Sequence, residues 1–92
     1  MIEVLLLTAP GCHWCDEAQA LIDRLASEFE LRTATCSTED DEGRGLVVAG
    51  GILFPPAIFV NGQFLQYGRP SERKLRARLA EVGARPRATS QA

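Results

Sequence analysis

Long apolar runs are missing from this chain. The opening hydrophobic stretch from Ile2 to Leu7 is interrupted by Glu3 and has neither a basic leader nor a small-residue cleavage site. It is read neither as a membrane span nor as a signal peptide, so no membrane partner and a cytoplasmic location are expected. Three cysteines among 92 residues are too few for a disulfide-stapled scaffold. Aromatic residues make up 7% and no segment is of low complexity, which leaves the composition of an ordinary globular domain. A basic excess is missing too, the formal net charge being −2. The cations crowd the last third (Arg69, Arg73, Lys74, Arg76, Arg78, Arg85, Arg87), without interleaved aromatics or a reading motif, so no nucleic-acid partner is expected. They are read as a solvated helix face and a basic tail, with a rim for an acidic partner protein as the functional alternative. A chain of this length supports one core and one domain, and a monomer is expected.

What the chain does have is the stretch Thr8-Ala9-Pro10-Gly11-Cys12-His13-Trp14-Cys15. An apolar run delivers the chain into a Pro-Gly turn, two cysteines follow with two residues between them, and a helical pattern starts at once. A thiol at a helix start faces unpaired N–H groups and the positive end of the macrodipole, which favour its anion. The effect is worth about 0.3–1 kcal/mol, up to about 2 when partly buried. At about 1.36 kcal/mol per pKa unit, the dipole alone brings a cysteine from about 8.5 to about 7–8. Cys12 is therefore predicted to attack a disulfide as thiolate, and Cys15 to resolve the mixed disulfide that results. In a reducing compartment two closely spaced cysteines point to catalysis or metal binding rather than to a structural bridge.

Ile2–Thr8 reads as a strand buried on both faces and placed inside a sheet, because its apolar residues run on rather than alternate. From His13 to about Phe29, Ala18, Leu21, Ile22, Leu25 and Phe29 recur three and four apart, the stripe of an amphipathic helix. Leu31 to Ser37 reads as a second strand, and the tight strand-helix-strand order implies a parallel pair with a right-handed crossover. Thr38–Asp41 offers N-cap and acidic first-turn chemistry for a short helix to about Ala49, a prediction weakened by Gly43, Gly45, Gly50 and Gly51. Asn61-Gly62 between two β-prone runs signals a hairpin joining Ala57–Val60 to Gln63–Tyr67. Pro70-Ser71 open a last helix through about Val82, which Gly83 ends. The predicted domain is 1–83, and 84–92 is expected to be a flexible tail.

The order β-α-β-α-β-β-α, the C-x-x-C at the first strand-to-helix junction and a proline just before the third strand resemble the thioredoxin-like fold. The implied architecture is an α/β thioredoxin-like fold, a four-stranded mixed sheet flanked by three helices. Within that superfamily Pro56-Ala57-Ile58-Phe59-Val60-Asn61-Gly62 resembles the proline-to-hairpin segment of glutaredoxins. The resemblance implies a thiol-disulfide oxidoreductase with Cys12 and Cys15 as catalytic cysteines and a cis-proline beside them. Pro56 matches that proline by motif position, with Pro55 as the alternative and Phe54 then taking the docking role. His13, Trp14, Pro55 and Pro56 are the candidate substrate-binding residues. No tightly bound cofactor and no metal are implied, the Cys12–Cys15 disulfide being the redox group. Protein or low-molecular-weight disulfides are the implied substrates, with a thiol reductant or reductase to supply electrons.

Three positions depart from the pattern. Pro55 has no N–H, so the backbone there offers a carbonyl but no donor. Where many glutaredoxins grip glutathione, this chain has Thr8-Ala9-Pro10-Gly11 and Gly68-Arg69-Pro70-Ser71, which leaves glutathione only a candidate partner. Leu6 stands where thioredoxins carry a buried acid. His13 could add positive charge beside the thiols below its ordinary pKa of about 6.5, or could be exposed and uncharged. Trp14 is read as a shield of the dithiol or a platform for a partner, Tyr67 as half-buried at the sheet edge, and Cys36 as a buried small hydrophobe. The rival readings are a metal module using Cys12 and Cys15, which would need further ligands such as Cys36, and a thioredoxin-like interaction domain without turnover.

Overall fold

The computed structural model describes residues 1–87. Its elements run β1 (Ile2–Thr8), α1 (His13–Glu28), β2 (Leu31–Ser37), α2 (Asp41–Gly50), β3 (Ala57–Val60), β4 (Gln63–Tyr67) and α3 (Glu72–Glu81). The sheet order is β2-β1-β3-β4. β1 lies inside the sheet, parallel to β2 and antiparallel to β3, and β3 runs antiparallel to β4. An interior strand covered on both faces must be apolar on both, and the unbroken Val4–Leu7 run meets that need.

The two faces hold separate cores. Val4 and Leu6 of β1 meet Ile58 and Val60 of β3 beneath α1 (Ala18, Leu21, Ile22, Leu25) and α3 (Leu75, Leu79). Leu7, Cys36, Ile52, Ala57 and Phe59 form the other core, with Leu46 and Val47 of α2 against it. Leu6 is 1% exposed within the first core. Gln66 is the buried polar side chain among the described residues, and it both donates to and accepts from the Ser71 backbone. That pair ties the end of β4 to α3, whose N-cap is Ser71 with its hydroxyl accepting from Lys74 N–H at 3.2 Å.

Both residues of the Asn61-Gly62 turn have positive φ, 52° and 80°, as the hairpin signal requires. Asn61 also locks the turn to β1, donating its N–H to Glu3 O and accepting the Glu3 N–H on its side-chain oxygen. α2 forms despite its glycines. Gly43 is required there, because a Cβ at that position would stand 1.8 Å from the Ser37 carbonyl oxygen. The close approach of helix to strand end decides that residue, and helix propensity does not.

Two expectations are revised. The chain after Gly83 was expected to be loose from Ala84, yet Ala84–Arg87 run back along the end of α1. Glu30 N–H donates to Arg85 O at 2.9 Å, Arg87 N–H to Glu28 O at 2.8 Å, and Phe29 and Pro86 form a β-bridge. The rest of the expected tail, 88–92, lies outside the described residues. Two of the α3 cations also find partners: Arg76 bridges Glu28 of α1 and Glu72, to which Arg24 of α1 also reaches, and Arg78 reaches Glu81 within α3. Arg76 thus ties α3 to α1, while Arg73 and Lys74 stay on an exposed, solvated face as expected.

Candidate active site

The site begins where β1 leaves the sheet. Gly11 takes φ +66°, a conformation open to glycine, and reverses the chain so that Cys12 arrives as N-cap of α1 in extended geometry. Its sulfur then does what an N-cap oxygen does: Cys12 Sγ accepts the Cys15 N–H at 3.1 Å. Asp16 N–H donates to the Cys12 carbonyl at 3.2 Å, closing the first helical turn. Cys12 and Cys15 are joined by a disulfide, with Cα atoms 5.1 Å apart. The two sulfurs differ sharply in access, since Cys12 is half-buried and Cys15 only 2% exposed.

His13 turns to solvent. Its side chain is 81% exposed and Nε2 lies 2.8 Å from the Glu17 carboxylate one turn along. Trp14 is 40% exposed and tilts against Phe54 at 6.4 Å between ring centroids. Phe54 meets Tyr67 edge-on at 5.4 Å and overlies Gly68, where a Cβ would stand 3.0 Å from its ring. The Gly68 N–H donates to Pro56 O at 2.7 Å, anchoring the diproline segment to the end of β4. The Pro55–Pro56 peptide is cis; Pro56 is fully buried and Pro55 half-buried. The Trp14–Phe54–Tyr67 contacts thus link the dithiol loop, the diproline loop and the sheet edge.

A groove of about 430 Å³ extends from this point, walled by Ala9, Val47, Val48, Leu53, Phe54 and Pro55. Val48 and Leu53 are 82% and 77% exposed, unusual for large aliphatic side chains so close together. Sequence reasoning missed this surface, although Leu53-Phe54 ahead of two prolines was a signal that apolar side chains would be held out of the core.

Cys36 lies apart, in the core beneath α2. Burial, with Glu42 and Asp40 nearby, pushes its thiol above the ordinary cysteine value. Among the described residues no three side chains of His, Cys, Asp or Glu converge as a metal site would need. Cys36 therefore does not supply the third ligand that the metal reading asked for. No helix in the described residues is long and apolar enough to cross a membrane.

No family model matches the chain. It is 30% identical over 76 residues to a probable thioredoxin of Archaeoglobus fulgidus, an alignment covering 83% of this chain and 84% of the relative. Among solved structures, a thioredoxin of Halobacterium salinarum superposes with a TM-score of 0.66 at 19% identity, covering 87% of this chain and 73% of that one. Glutaredoxin 1 of Francisella tularensis, complexed with cacodylate, gives 0.54 at 18% identity, covering 89% and 96%. These two likenesses concern the fold, and the archaeal relative extends the kinship to the sequence. The chain belongs to the thioredoxin-like superfamily.

Proposed function

We propose that the protein is a thiol-disulfide oxidoreductase that cycles between the Cys12–Cys15 disulfide and the dithiol. The observation that carries this reading is the unequal exposure of two bonded sulfurs at a helix start, one reachable from solvent and the other not. In the reduced form the Cys12 thiolate attacks one sulfur of a substrate disulfide. A new S–S bond forms, the substrate bond breaks, and one substrate thiolate leaves. Cys15 then loses its proton and attacks the Cys12 sulfur, releasing the second substrate thiolate and regenerating the internal disulfide. Two electrons have passed from the dithiol to the substrate. An external thiol or dithiol reductant returns them by the same exchange in reverse, and relative potentials set the net direction.

Within this mechanism Trp14, Pro55 and the backbone of the cis Pro55–Pro56 peptide are assigned to substrate contact, the Pro56 ring itself being fully buried. His13, paired with Glu17 on the solvent side, contributes at the rim. A glutaredoxin-like choice of glutathione is the weaker form of the proposal, because the segments at 8–11 and 68–71 lack the charged grips of that family. A reducing, cytoplasmic setting with protein disulfides as substrates suits the dithiol best.

The test uses turnover of hydroxyethyl disulfide with dithiothreitol as reductant. Wild type should turn over, Cys12→Ser should be inactive, and Cys15→Ser should accumulate a mixed disulfide visible by intact mass. Exchange that survives in Cys12→Ser would overturn the assignment.

A further inference from the structure

The two edges of the sheet are not alike. β4 is short and its pairing with β3 slips between Ile58 and Phe59, an irregularity of the kind that blunts an edge. β2 has no such guard: it keeps unbroken register with β1 over seven residues and contains neither proline nor glycine. Its middle, Arg32–Thr35, is exposed on both faces, so neither α1 nor α2 overhangs it. Thr38 N–H donates to Thr8 O, which fixes the alternation of the backbone groups. Arg32, Ala34 and Cys36 turn theirs to β1, and Leu31, Thr33, Thr35 and Ser37 turn theirs outward. Both ends of that outer row are closed. Asp40 satisfies Ser37, its carboxylate accepting the Ser37 N–H at 3.2 Å and its own N–H donating to Ser37 O at 3.0 Å, and the 84–87 segment bonds to Glu28 and Glu30 just before Leu31. Among the described residues, no strand or loop pairs with the outward groups of Thr33 and Thr35.

We propose that this open edge pairs with the same edge of a second copy of the chain, antiparallel about a two-fold axis at Ala34. In that register Thr33 exchanges both of its backbone hydrogen bonds with Thr35 of the second copy, and symmetry supplies the reverse pair. All four free groups of each strand are then used. A shift of two residues one way sets Thr33 against Ser37, already capped; the other way sets Thr35 against Leu31, beside the 84–87 segment. Thr33 and Thr35 face each other on one side of the sheet, a pairing that suits neighbouring strands. On the other side the small Ala34 meets its own copy at about 4.5 Å between Cα atoms. Charge agrees with the antiparallel sense. Exposed Arg32, Arg85 and Arg87 stand at the start of β2, opposed by Glu3 and Glu30, whereas Glu39, Asp40, Asp41 and Glu42 stand at its end, opposed by Arg44. Antiparallel pairing brings the basic start of each strand to the acidic end of the other. The dithiols follow the end of β1, one strand in from this edge, so both stay reachable.

The test is sedimentation equilibrium of the full chain with dithiothreitol present. A monomer–dimer equilibrium is expected, with monomer prevailing at about 5 µM and dimer at about 500 µM, as a small interface implies. Amide exchange at Thr33 and Thr35 should slow over the same rise in concentration. Ala34→Lys and Ala34→Glu each set like charges face to face across the axis and should weaken association at least about fivefold. An equal mixture of the two variants should recover a mixed dimer, because the charges that meet are then opposite. Their thermal melting shows that both fold, Ala34 being exposed on the free chain. A chain still monomeric at about 500 µM, or a dimer seen only without dithiothreitol, would overturn the proposal. So would a dimer that neither Ala34 variant weakens, or whose association leaves exchange at Thr33 and Thr35 unchanged, since another surface would then carry it.

Discussion

Two glycines of α2 separate propensity from packing. By propensity alone, Gly→Ala within a helix stabilises by about 0.5–1 kcal/mol, and the prediction has the same sign at Gly43 and Gly45. The structure splits them. A Cβ on Gly45 meets nothing within 4 Å, whereas one on Gly43 would lie 1.8 Å from Ser37 O, 2.6 Å from Ser37 C and 3.2 Å from a Leu7 methyl. Two of those atoms are backbone and cannot rotate away. Helix and strand end would have to part by about 1.5 Å to restore ordinary contact, an overpacking that costs about 1–3 kcal/mol. Ser37 is paired with Thr8, and Thr38 N–H donates to Thr8 O at 2.8 Å, so the displacement reaches the strand end that leads to the dithiol. Thermal and urea unfolding of the oxidised protein should show Gly45→Ala at or above the parent. Gly43→Ala should melt at least about 4 °C lower, with unchanged urea m-value. A Gly43→Ala variant as stable as the parent would refute the packing argument.

In Cys15→Ser, thiolate absorbance should place the Cys12 midpoint below that of an ordinary thiol, and a midpoint at or above an ordinary thiol would remove the helix start as activator. Cys36 should resist alkylation in the folded, reduced protein while Cys12 reacts, and should label only on unfolding; equal labelling rates would contradict its burial. Arg76→Ala should destabilise in a pH-dependent way. Arg76 hydrogen bonds hold the Glu28 and Glu72 carboxyls below their ordinary 4.5, so their contribution is present above that value and is lost as pH falls through the lower folded values. The melting gap between wild type and Arg76→Ala should therefore be widest near neutrality at low salt and narrow below pH 4.5, and a gap constant with pH would refute the linkage.

Local chemistry made most of the fold legible. The Val4–Leu7 run has no polar alternation, which fits a strand covered on both faces, and Asn61-Gly62 accepts the positive φ that a tight hairpin demands. The dithiol at the strand-to-helix junction was equally plain. What could not be read depends on residues distant in the chain. Arg76 finds Glu28 48 positions away, so a run read as a solvated helix face holds one cation that ties α3 to α1. Ala84–Arg87 have few apolar atoms and were expected to be loose, but backbone hydrogen bonds to Glu28 and Glu30 hold them. The groove draws on Ala9, Thr38, α2 and the loop before Pro56, and none of those segments is unusual by itself.

The asymmetry of the two sulfurs, by contrast, follows from spacing alone. Cys15, Ala18, Ile22 and Leu25 fall three, four and three residues apart and form the buried stripe of α1. A cysteine three residues earlier cannot share that stripe, because it stands at the N-cap, outside the helix, where its sulfur lies over the open N–H of Cys15. Moving the second cysteine by one position in either direction would put it where Trp14 and Asp16 now face solvent. Both sulfurs would then be open to attack, and a substrate could be met by either. Two intervening residues therefore leave one thiol outside, capped and ionisable, and carry the other inside on the face that builds the core. The same helical periodicity that buries Leu25 also gives the dithiol its order of events.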